Sequence, residues 1–112
     1  MRQLNDNIIP TQVAGNVTTA AVPALNLISI SAQIVSTGAG AGTLKLQASN
    51  DYVVGSLKVP VNFSDIPGAS VMVSGAGAFL IPKVDLCYEY IRLVYTNTGA
   101  GTISATLKAL GT

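Results

Sequence analysis

The sequence predicts an all-β domain: a single antiparallel β-sandwich, jelly-roll-like, of about seven or eight strands, preceded by an extended N-terminal arm. Three observations predict it. Apolar and polar residues alternate in short runs, β-branched residues are frequent within those runs, and Gly, Pro, Asn or Asp separates them with no capped helical period. At 112 residues the chain is one domain, long enough to bury roughly two thirds of the surface its unfolded form exposes.

Residues 1–25 form the arm. No Asp, Glu, Lys or Arg lies between Asp6 and Lys45. The stretch NIIPTQVAGNVTTAAVPAL combines that neutrality with Pro10, Gly15 and Pro23 and keeps no steady period. Disordered tails have low hydrophobicity and high charge, so a neutral, fairly apolar arm is expected to dock, with Ile8, Ile9, Val13 and Val17 as its contacts. The sandwich is expected over residues 26–112.

In NLISISAQIVS, Ile28, Ile30, Ala32 and Ile34 fall on one side and Ser29, Ser31 and Gln33 on the other, the pattern of a half-buried strand. TLKLQAS follows after Thr37-Gly38-Ala39-Gly40-Ala41-Gly42, and its Leu44 and Leu46 oppose Lys45 and Gln47. The two runs read as a hairpin with a glycine-rich loop. Further strands are expected at 55–63, 70–75, 78–84, 88–96 and 102–110. Pro60 and Pro82 inside such runs place them at sheet edges or bulges, because proline cannot donate to a central ladder. TGAGAGTLKLQA from Thr37 echoes TGAGTISATLKA from Thr98, as two related hairpins would.

Those glycine clusters resemble phosphate cradles, but a phosphate loop feeds a helix N-terminus and these feed strands. They read as turns. Histidine is absent, which removes Ser-His and Cys-His nucleophiles, an imidazole base and histidine metal ligands. The carboxylates Asp6, Asp51, Asp65, Asp85 and Glu89 are scattered without calcium-loop spacing. No enzyme, cofactor or metal is expected. Cys87, the single cysteine, cannot form an internal disulfide and is expected to be a small buried hydrophobe.

Charged residues make up 10% of the chain and the formal net charge is +1, so there is no field to gather nucleic acid. The opening MRQLNDNIIP lacks the apolar core of an export signal, and no apolar run reaches the about 18 residues of a membrane span. Ser and Thr number 19, so the polar surface is largely hydroxyl and amide. Such a surface suits a homo-oligomer, in which neighbours cover it.

Tyr88, Tyr90 and Arg92 would share one face of a strand, with Asp51 in the SND turn at the end of another. This set is the candidate contact for a partner or a host glycan. The competing structural reading is a cross-strand aromatic ladder or a tyrosine corner at Tyr88.

GTLKLQASND (42–51) and YEYIRLVYTNTGAGTISATLKAL (88–110) together resemble small β-sandwich virion proteins of bacteriophages. Those proteins carry a Gly-Thr-Leu-x-Leu-Gln-x-Ser-Asn-Asp strand, then a Tyr-Ile-Arg-Leu strand, a Gly-rich turn and a closing Gly-Thr strand. The likeness covers the middle and the C-terminal third and omits the arm. It implies a capsid-associated or decoration subunit, assembled in the bacterial cytoplasm with other virion proteins. The alternative is a lectin-like module of a tail or fibre.

Overall fold

The computed structural model describes residues 3–24, 26–51 and 60–111, and for 3–7 and 10–12 the backbone alone. Among them run β1 (Gln3–Val13), β2 (Val17–Thr18), β3 (Val22–Pro23), β4 (Leu27–Thr37), β5 (Ala41–Ser49), β6 (Ser64–Ser74), β7 (Gly77–Asp85), β8 (Tyr90–Asn97) and β9 (Thr102–Gly111). Two antiparallel sheets form. The first has the order β1-β9-β4-β7 and the second β2-β8-β5-β6, with β3 also paired to β8.

The two orders explain each other. Each strand of the first sheet is joined through a short loop to the strand holding the same place in the second: β1 to β2, β4 to β5, β7 to β6 and β9 to β8. Counting β2 and β3 as one interrupted edge, this is an eight-stranded jelly roll. The expected all-β sandwich is therefore the fold.

Period-two alternation fills the space between the sheets. Ile30, Ala32 and Ile34 of β4, Leu44 and Leu46 of β5, Ile91, Leu93 and Tyr95 of β8, and Ile103, Ala105, Leu107 and Ala109 of β9 all point inward and are buried. Each large side chain among them contributes about 1.5–3 kcal/mol by leaving water. Ile28 departs from the expected pattern. The register slips between Leu27 and Ser29, so Leu27 turns inward and Ile28 stands 49% exposed.

The arm is not a separate appendage. Its first strand pairs with β9 from Gln3 to Val13, and its later pieces lie on β8. Ile9 and Ala24 are buried in the core, and Ile8, Val13 and Val17 pack against it. The strands expected to form an arm thus pair within the sandwich itself. Two register shifts, one before and one after Ile9, break the alternation that would have marked β1 as a strand.

The glycine-rich segments also differ from expectation. β4 and β5 lie in different sheets, as do β8 and β9, so neither pair is a hairpin. Both segments are arches that carry the chain across the sandwich. Of the strand expected at 55–63, residues 55–59 fall outside the described set and 60–63 form no strand.

Every sheet edge carries a proline. Pro10 lies in β1 beyond a register shift, Pro23 in β3, Pro67 in β6 where residues 66–69 stand opposite Leu46, and Pro82 in β7 where residues 82 and 83 stand opposite Ser31. The expectation for Pro82 holds on both counts, edge and bulge. Prolines and bulges blunt edges that would otherwise template pairing with another chain.

Candidate functional site

Four crossings between the sheets gather at one end of the sandwich: residues 14–16, 38–40, 75–76 and 98–101. They read Ala-Gly-Asn, Gly-Ala-Gly, Gly-Ala and Thr-Gly-Ala-Gly, so nothing there is charged or larger than asparagine. The loops are tied to one another and to neighbouring strand ends. Gly75 N donates to Gly40 O at 2.7 Å, Thr98 N to Ala41 O at 2.9 Å and Asn97 N to Asn16 Oδ1 at 2.7 Å. Thr37 and Thr102 share a hydroxyl–hydroxyl bond of 2.6 Å.

Glycine is required where the arches touch. Gly101 has φ +97, and a Cβ there would press on Thr37 O and the backbone of Gly40. Ala39, Ala76 and Ala100 are exposed on this end. The result is an uncharged platform of small residues held by backbone and side-chain hydrogen bonds. Sequence reasoning recognised turns and missed the platform, because the mutual placement of four loops is a property of topology.

The candidate residues on β8 and nearby separate. Tyr90 and Arg92 lie on the outer face of the second sheet, half-buried, in register with Ser49 and Gln47. Tyr88 precedes the strand and packs against the core, so the expected three-residue stripe does not form. Arg92 Nε donates to Gln47 Oε1 at 2.9 Å, and its guanidinium sits 4.0 Å from the centroid of the Phe63 ring. Gln47 Nε2 donates to Asp65 Oδ1 at 2.9 Å, and Lys45 Nζ donates to Asp65 Oδ2 at 3.2 Å. The Gln47 hydrogen bond, then Lys45, holds the Asp65 carboxyl below its ordinary range. This row is a cross-strand ladder whose groups are committed to one another, and Phe63 is the member that the sequence did not suggest.

Asp51 is committed too. Its carboxylate accepts from Val61 N at 2.7 Å, Asn62 N at 2.9 Å and Asn62 Nδ2 at 3.0 Å. Those bonds, led by the backbone N–H of Asn62, bring its pKa from 3.8 to about 2. Asn50 Oδ1 accepts from Glu89 N at 3.1 Å. The SND segment therefore clamps loop ends together, which is the turn role of Asx residues.

The inward tyrosine is Tyr95. Its hydroxyl donates to Ala41 O at 3.1 Å, and burial pushes its pKa up. The backbone-bonding role considered for Tyr88 belongs here. Cys87 is exposed, contrary to expectation, because it falls in the loop between β7 and β8 and outside either strand's alternation. Among the described residues no three His, Cys, Asp or Glu side chains converge as metal ligands would.

These features define a jelly-roll β-sandwich with a neutral platform at one end. No protein-family model and no curated protein matches the chain. Among solved structures, the chain is similar to the crystal structure of PirA, at 17% identity and a TM-score of 0.58, over 97% of this chain and 92% of that one. At that identity the likeness speaks for the fold, and it extends over nearly the whole of both chains.

Proposed function

We propose that the protein is a non-enzymatic structural subunit of a bacteriophage virion, a capsid-associated or decoration component that assembles with itself and with other virion proteins. The observation that carries this reading is the glycine platform. Four uncharged loops of small residues present little side-chain entropy to lose and no charge to desolvate, the properties of a surface built to be covered. The phage-like motifs at 42–51 and 88–110 support it, and jelly rolls serve in viral capsid and lectin domains.

With every strand edge blunted by proline, assembly through edge-to-edge pairing is disfavoured. The contacts fall to the platform instead of the arm, which is built into the sandwich. The test is light scattering across a dilution series, with the triple variant Ala39→Glu, Ala76→Glu, Ala100→Glu beside the unmodified chain. The expected result is a closed oligomer that persists on dilution and dissociates in the variant, both having the same circular dichroism. A monomer at all concentrations overturns self-assembly, and an unaffected variant oligomer overturns the platform as its surface.

A further inference from the structure

The outer face of the first sheet holds an unusual charge arrangement. Ser31 of β4 has Lys108 of β9 as its register partner on one side. On its other side stands the β7 bulge, since Ile30 pairs with Val84 and Ala32 with Ile81, leaving Pro82 and Lys83 opposite Ser31. Neighbouring strands lie about 4.8 Å apart, so two ammonium-bearing strands flank one serine within about 10 Å. Neither lysine makes an ion pair or hydrogen bond with a described residue; among those residues the ion pair is Lys45–Asp65. Asp85, opposite Ser29, makes no ion pair with a described residue, and on the far side of β9 Asn5 is the register partner of Lys108 with Asp6 next to it, opposite Leu107.

Small side chains between the lysines leave a trough. One hollow of about 220 Å³ is lined by Ser29, Ile30, Ser31, Lys83, Lys108 and Leu110. A second of about 270 Å³, sharing Ser31 and Lys108, continues past Gln33, Thr106 and Leu80. The hydroxyls of Ser29, Ser31 and Thr106 and the Gln33 amide line the floor together with Ile30 and Ala32. Leu80, 62% exposed, and Leu110, 43% exposed, stand along it as apolar walls.

We infer that this trough binds an acidic saccharide, whose carboxylate lies between Lys83 and Lys108. Two like charges facing each other across a strand repel, and an oxyanion placed between them removes that cost. The remaining lining selects the rest of the ligand. A pyranose has hydroxyls at its edges for Ser29, Ser31 and Gln33, and an apolar C–H face for Leu80 or Leu110. A bare phosphate would leave those walls and the floor beyond Ser31 uncovered. The net charge of +1 gives no field for a polyphosphate backbone.

This inference does not rest on the assembly reading. The trough is on a sheet face, and the platform is at an end, so each can fail alone. It also differs from the Tyr90–Arg92 surface, where Arg92 Nε is already bonded to Gln47 and the guanidinium lies over Phe63.

The experiment is isothermal titration of the full chain with an oligogalacturonate, with a neutral maltooligosaccharide, inorganic phosphate and a polyglutamate peptide as comparison probes. Two variants accompany it: Lys83→Ala with Lys108→Ala, which removes the cations, and Ser31→Leu, which fills the trough and keeps them. Thermal melts monitor folding of both. The expected result is saturable binding of the oligogalacturonate that weakens with salt and falls at least about tenfold in each variant. Absent binding, or binding unchanged in either folded variant, overturns the site. Equal or tighter binding of phosphate or polyglutamate overturns the saccharide as its ligand.

Discussion

Tyr95 of β8 reaches diagonally along the inner face of the second sheet to donate its hydroxyl to Ala41 O on the neighbouring β5, and Gly42 beside it supplies the space for the ring. A Cβ on Gly42 would stand 2.6 Å from the Tyr95 hydroxyl oxygen and 2.7 Å from the ring carbon bearing it. The arch between β4 and β5 therefore needs glycine at its end for packing as well as for turning.

Gly42→Ala is expected to destabilise the fold by about 1–3 kcal/mol through overpacking. Tyr95→Phe should cost about 1 kcal/mol or less, because Ala41 O keeps the Thr98 N–H at 2.9 Å. Chemical denaturation measures both. A Gly42→Ala protein as stable as the parent would refute the close approach.

The Asp51 clamp predicts a specific acid limb. Its folded pKa of about 2 lies below the ordinary 3.8, so its carboxylate contributes stability that is complete above the unfolded value and lost as pH falls from about 4 towards 2. Asp51→Asn should lower the melting temperature at neutral pH and flatten that part of the curve. The Asp65 shift has the same sign and persists in the variant as background. An acid limb identical in parent and variant would show that the clamp is not formed.

Ile9 links the first strand to the core. Ile9→Ala should cost about 2 kcal/mol or more. Deleting residues 1–13 should do worse, since it strips one side of β9 and uncovers the apolar surface that Ile9 covers. Thermal melting and turbidity are the readouts. A truncated protein that melts with the parent and stays clear would restore the picture of a free arm.

Ser36 offers the opposite sign. Its hydroxyl is buried beside Gly40 and has no hydrogen-bond partner among the described residues. Ser36→Ala removes an unsatisfied polar atom and adds no bulk, so stability should be unchanged or raised. A loss above about 1 kcal/mol on denaturation would mean the hydroxyl has a partner after all.

The strands with unbroken alternation were the legible ones. β5, β8 and β9 show their buried faces in the residue pattern, as does β4 from Ile30 onward, because a period of two survives wherever the register is regular. β1 was not legible, since its bulges and Pro10 disturb the period, and its neutrality suggested an intermolecular contact when the contact is with β9. Arch and hairpin could not be told apart either. Both reverse the chain with glycine, and which sheet the next strand joins depends on partners far away in sequence. The same holds for the candidate sites: Arg92 was visible, whereas its Phe63 cap, the lysine pair across Ser31 and the platform all arise from long-range register.

The position of β9 between β1 and β4 has a kinetic consequence. The last strand in the sequence separates the first from the fourth, so the first sheet stays in two pieces until residues 102–111 arrive. Until β9 has been made, β1 and β4 stand with open hydrogen-bonding edges, and the closing step must recruit the strand furthest in sequence from β1. Folding dominated by such distant pairings is slow. The proline on each outer edge protects the finished molecule, but the inner edges of β1 and β4 are guarded only by the speed with which β9 inserts.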